Sequence, residues 1–109
     1  MTRPRVGFAG MTHLGINSAA GALARGFDIV GYDGDARVTA RLGRGEPHVV
    51  EPGLPEALRA HAAHAGFTSD IAELRRCELV YIAADVPTDD SGASDLSGIR
   101  ELIRKVVFK

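Results

Sequence analysis

The stretch Val6-Gly7-Phe8-Ala9-Gly10-Met11-Thr12-His13-Leu14-Gly15 decides the fold. Val6 to Ala9 form a short, continuous apolar run, the pattern of a strand buried on both faces of a parallel sheet. Gly10 ends the run. From His13 to Arg25 the apolar residues Ile16, Ala19, Ala20 and Leu23 recur at helical spacing, and Gly26 follows where a left-handed cap would sit. A second strand is predicted over Phe27 to Tyr32, which makes this opening a strand-helix-strand unit.

Further along, Ala36 to Leu42 reads as a helix, broken by Gly43, Gly45 and Pro47 into a loop. Pro52 to Pro55 opens another helix, with Leu54, Leu58 and Ala62 directed inward. Phe67 and Thr68 mark a short third strand, and Ser69 or Asp70 caps a brief helix over Ile71 to Arg76. Leu79 to Ala84 is the fourth strand, followed by a turn-rich loop over Pro87 to Ser94. A closing helix is predicted from near Asp95, with Leu96, Ile99, Leu102, Ile103 and Val106 on one apolar stripe. Strands alternating with helices require right-handed crossovers and a parallel sheet. The expected fold is therefore α/β, an incomplete Rossmann-type doubly wound sheet of about four strands in the order 3-2-1-4.

Composition narrows the function. At 109 residues the chain is read as one domain. Thirteen Lys and Arg against 14 Asp and Glu leave a net charge of −1, no footprint for nucleic acid or an anionic membrane. The lone Cys77 is read as a small buried hydrophobe rather than a nucleophile, since nothing nearby would activate it. With no apolar signal core at the amino terminus and no apolar run of ~20 residues, a cytoplasmic location is expected.

The loop from Gly10 to Gly15 lies between the first strand and the first helix, where a dinucleotide site places its glycines. There the first glycine makes the turn, the second admits the pyrophosphate to the backbone, and the third lets helix and strand pack closely. Gly10 and Gly15 fill the first and third places. Thr12 fills the second, bringing a methyl group into that space together with a hydroxyl that can donate to a phosphate oxygen. The following helix offers unpaired amides and the positive end of its dipole. Asp33 closes the second strand 18 residues after Gly15, near the ~20-residue offset at which a carboxylate holds the adenosine ribose hydroxyls. That charge favours NAD over NADP, and Arg37, one helical turn on, is placed for the same ribose or a phosphate oxygen. The competing structural readings are glycines that serve packing alone and an Asp33 that merely caps a helix. His13 is read as a helix-terminus polar contact, not a base.

The chain resembles the amino-terminal domain of the UDP-glucose/GDP-mannose dehydrogenase family. Four patches carry the resemblance: Val6 to Gly15; Gly31-Tyr32-Asp33; Glu51-Pro52-Gly53-Leu54; and Pro87-Thr88 with Gly92 and Asp95-Leu96. It implies that Gly10, Thr12, His13, Leu14 and Gly15 surround the pyrophosphate of NAD, while Asp33 and Arg37 hold the adenosine side. Val86 stands near the cofactor where the family usually has threonine. Glu51-Pro52-Gly53-Leu54 has a physical role of its own, a proline-started helix with a capping glycine.

The family's reaction oxidises the C6 alcohol of a nucleotide sugar to the acid, with two NAD and a cysteine that forms a thiohemiacetal. By the same resemblance that cysteine, a helical linker and a sugar-binding domain belong to segments beyond Lys109. Residues 1–109 are thus expected to form part of the NAD-binding domain, without turnover as a fragment. A homo-oligomer is a possible assembly, through an edge left by an incomplete sheet. Two other classes stay open: a non-catalytic, degenerate Rossmann module used for assembly or regulation, which Thr12 and Val86 favour, and a methyltransferase, which the Pro87 to Leu96 patch disfavours.

Overall fold

Strand Arg5–Ala9 (β1) occupies the centre of the sheet because its residues meet protein on both faces, with Val6 and Phe8 buried on one and Gly7 pressed close on the other. Thr12 then begins helix His13–Ala24 (α1), its hydroxyl accepting from the Gly15 amide at 3.1 Å. Ile16, Ala19, Ala20 and Leu23 are buried along one side of α1, as their spacing requires. Arg25 caps the helix, and Gly26 takes φ 97° to turn the chain into strand Asp28–Tyr32 (β2). The computed structural model describes residues 3–83 and 96–107.

Asp35 starts helix Ala36–Gly43 (α2) by accepting from the Arg37 amide at 2.9 Å. Helix Leu54–Ala60 (α3) follows a left-handed Gly53 and carries Pro55 in its first turn. Leu54 and Leu58 point into the core, but Ala62, expected beside them, is exposed. The reason is a change of period: beyond His61 the backbone tightens into a 3₁₀ turn over Ala62–His64, which rotates Ala62 off the buried face. Strand β3 covers Ala65–Thr68, longer than the expected pair because Ala65 and Gly66 align with Ile29 and Val30 of β2. Asp70 caps a 3₁₀ segment, Ile71–Arg76, tighter than the predicted helix, which buries Leu74.

Strand Leu79–Ile82 (β4) and helix Ser97–Val107 (α4) complete the described structure. The end of the fourth strand at Ala84, the loop Pro87 to Ser94, the Asp95 cap and Val86 lie outside the described residues. Along α4, Ile99, Leu102 and Ile103 are half-buried where the helix meets Ile71–Arg76 and β4, whereas Leu96 is exposed.

All strand pairs are parallel and the sheet order is β3-β2-β1-β4, the expected Rossmann arrangement. Register places Ala9 opposite Tyr32 on one side and Ile82 on the other, so three carboxyl ends finish side by side. The order of connection reverses between β1 and β4. In open α/β sheets the crevice outside the carboxyl ends of the strands at such a switch is where ligands bind.

Candidate functional site

The crevice is lined by the turn after β1. Gly10 has φ 111° and donates its amide to the Tyr32 carbonyl at 2.8 Å, locking the turn onto the end of β2. At Gly15, a β-carbon would stand 2.0 Å from the Gly10 carbonyl oxygen, so helix and turn meet in a way that admits hydrogen alone. These are the duties assigned to the first and third glycines of a dinucleotide loop.

The Thr12 side chain makes two contacts inside the protein. Its hydroxyl donates to the Ala83 carbonyl at 2.5 Å and accepts from the Gly15 amide. A hydroxyl has one proton to give, and here it goes to Ala83, the residue after β4. The side chain fastens the glycine turn to the far side of the crevice and caps α1 in one stroke. What remains for an anion is backbone: the amides of Thr12, His13 and Leu14 have no acceptor among the described residues. Three such groups at the amino end of a twelve-residue helix form an anion seat.

Asp33 turns its carboxylate toward this seat. Oδ2 accepts from the Met11 amide at 3.0 Å and Oδ1 from the Asp35 amide at 2.9 Å. Each oxygen keeps a second lone pair, so the group can still accept from hydroxyls presented at the end of β2. Arg37 stands apart from Asp33 and pairs with Asp35 at 3.1 Å on an open surface. That guanidinium holds the Asp35 carboxyl below the usual carboxylate range, and Asp35 in turn raises Arg37. The side chain of Leu14 is 68% exposed and points into an apolar groove over β4, leaving only its amide toward the seat. Val86 lies outside the described residues.

Two contacts with the loop had no counterpart in the sequence reading. His13 Nε2 meets Glu51 Oε2 at 3.1 Å, so the Glu51-Pro52-Gly53-Leu54 patch touches the glycine loop as well as starting α3. His48, in the loop between α2 and α3, donates from Nε2 to the Met11 carbonyl at 2.8 Å. Met11 itself is buried beneath the turn, its sulfur close to Gly31 of β2. Apart from the acid in the Glu51 patch, the sequence held no signal for these contacts, since they join segments 37 and 38 residues apart.

Cys77 sits at the opposite end of the sheet, just before β4, at the level of Arg5. It is half-buried beside Gly7 with Leu74 and Val80, and burial pushes its thiol above the ordinary range. Among the described residues there is no group of three or more His, Cys, Asp or Glu placed to hold a metal ion.

A family model for the NAD-binding domain of the UDP-glucose/GDP-mannose dehydrogenases matches residues 4–109. The chain belongs to this family. Among its relatives in the UDP-glucose/GDP-mannose dehydrogenase family is the UDP-glucose 6-dehydrogenase of Pseudomonas aeruginosa, 37% identical over 93 residues, which cover 83% of this chain and 20% of that protein. The GDP-mannose 6-dehydrogenase of Pseudomonas syringae pv. tomato is 30% identical over 107 residues, covering 95% of this chain and 24% of its own. Among solved structures, a UDP-glucose dehydrogenase from Pyrobaculum islandicum superposes with a TM-score of 0.89 at 29% identity, over 96% of this chain and 25% of that one. The chain therefore spans about a quarter or less of the length of the proteins it matches. NAD is the cofactor of this family's domain, and the amides of Thr12, His13 and Leu14, which have no acceptor among the described residues, the tight Gly10 to Gly15 turn and the Asp33 carboxylate fit its ADP half. No helix among the described residues is long and apolar enough to cross a membrane.

Proposed function

We propose that residues 1–109 form the NAD-binding portion of a nucleotide-sugar 6-dehydrogenase that oxidises a sugar C6 alcohol to the acid. The observation that carries this reading is the convergence at the crevice: three amides without acceptors among the described residues on one side, and the Asp33 carboxylate anchored to the adjacent Met11 amide on the other. In this arrangement Thr12, His13 and Leu14 receive the pyrophosphate through backbone, and Asp33 accepts from the adenosine ribose hydroxyls. The bound nicotinamide would accept the hydride. The chain's own residues orient the cofactor across the strand ends and do nothing to the sugar. Cys77, the sole thiol, lies at the far end of the sheet, so residues 1–109 are proposed to bind without turnover.

Cytoplasmic location and self-association belong to the same proposal. The second is supported by β4, which has no strand on its outer side among the described residues, and by the exposed Leu79 and Tyr81 upon it.

Calorimetric titration of the folded chain with NAD is the direct test. Saturable binding is expected, and an absence of saturation at millimolar NAD would overturn the reading. One observation favours the second reading, a non-catalytic Rossmann module: the Thr12 hydroxyl is wholly engaged inside the protein. Thr12→Ser, which removes the methyl and keeps the hydroxyl's bonds to Ala83 and Gly15, separates the two. A cofactor site keeps or gains NAD affinity once the methyl is gone, whereas a surface used only for assembly shows no response to NAD before or after the change.

A further inference from the structure

The peptide joining Met11 to Thr12 is gripped at its carbonyl, and that grip comes from outside the Rossmann core. His48 Nε2 donates to the Met11 oxygen at 2.8 Å from a ring on the loop between α2 and α3. No peptide among the described residues is cis. In a trans peptide the carbonyl and the next amide proton point in opposite directions. Drawing the Met11 oxygen toward His48 therefore turns the Thr12 N–H away from it, and that amide has no acceptor among the described residues. On the other side of the same residue, Asp33 fixes the Met11 amide. Met11 is thus held at both of its backbone polar groups, by a residue of β2's end and by a residue 37 positions along the chain. The Thr12 hydroxyl cannot substitute for the histidine, because it is bonded to Ala83 and Gly15.

We infer that His48 is a positioning residue for the anion seat: it sets the direction of the Thr12 amide so that this group and its two successors converge on one phosphate. The inference rests on the NAD reading given above. Imidazole keeps a proton on Nε2 in the charged form and in the neutral tautomer that donates there, so the hold does not require a charge.

The test uses the full chain with His48→Ala and His48→Gln, the second retaining a donor on a side chain of similar reach. Titrations with NAD, ADP and adenosine are compared, alongside thermal unfolding and the ligand-free amide spectrum. His48→Ala should weaken NAD and ADP alike by about fivefold, the net weight of one neutral hydrogen bond. Adenosine binding should be unaffected, the unfolding midpoint should fall by no more than a few degrees, His48→Gln should recover most of both losses, and the Thr12 amide resonance should move in His48→Ala before any ligand is added. The inference is overturned if His48→Ala binds NAD as the wild type does, if adenosine is weakened equally, or if the Thr12 resonance stays in place. A wild-type chain that binds neither NAD nor ADP, with the Thr12 resonance still moved by His48→Ala, sinks the NAD reading instead and leaves His48 as a holder of the loop only.

Discussion

Gly15 shows how little room the site has. The atom it would clash with as alanine is a backbone carbonyl oxygen 2.0 Å away, which no rotamer change can clear. Gly15→Ala should cost about 2 to 3 kcal/mol in urea unfolding, the scale of an overpacked core, because α1 must lift off the turn. NAD binding should fall with it, since the three amides move together with the helix. Asp33 works by charge as well as by hydrogen bonding. A carboxylate at the end of β2 repels a 2′-phosphate, so NAD should bind more tightly than NADP, and Asp33→Asn should narrow that ratio in parallel titrations. An unchanged ratio would show that the carboxylate does not face the ribose.

Among the elements, α1 and α2 begin by the same device, a side-chain oxygen over the first free amides, but with different electrostatics. At α2 the cap is the charged Asp35, paired with Arg37 on an open surface. Its carboxyl is depressed in the folded chain, so its contribution to stability is present above the unfolded carboxylate pKa and is lost as pH falls through the lower folded value. The pair's contribution should consequently be complete at neutral pH and fade below about pH 4. In urea midpoints measured against pH, Asp35→Asn should lower the neutral plateau slightly, since an exposed pair is screened by water, and the two chains should converge as pH falls through the acid limb. A loss confined to acid pH would contradict this assignment.

Taken as a whole, the sheet has two edges among the described residues, β3 and β4, and the β4 edge borders an exposed apolar groove. β2 is covered on its outer side by β3, but β4 pairs only with β1 among the described residues. Above β4 lies an apolar groove of about 440 Å³ lined by Val6, Phe8, Leu14, Ala22, Leu79 and Tyr81. Phe8 and Tyr81 stack across its floor at 5.6 Å. An edge strand beside such a groove invites pairing with another chain. Sedimentation velocity should show concentration-dependent association, and Leu79→Lys, which puts a charge on the 50% exposed edge position, should shift the chain toward monomer without altering its far-ultraviolet spectrum. A wild-type chain that stays monomeric throughout would remove self-association from the proposal.

Local pattern was enough for the sheet order, the glycine turn and the buried stripe of α1, because each rests on short-range physics: strand period, helix period, and the backbone freedom of Gly10. It was enough also to place Asp33 near the loop, since a strand-helix-strand unit admits one hand of crossover. Ala62 and the extra residues of β3 escaped it, because a tightening backbone and a neighbouring strand outweighed their own preferences. The work done by Thr12, His48 and Glu51 was beyond its reach for the same reason. Their hydrogen bonds span 71, 37 and 38 residues, and nothing local in a chain marks which distant carbonyl or imidazole will arrive beside it. Residue types specified that an anion seat could form after β1; packing of remote segments chose which groups hold it in shape.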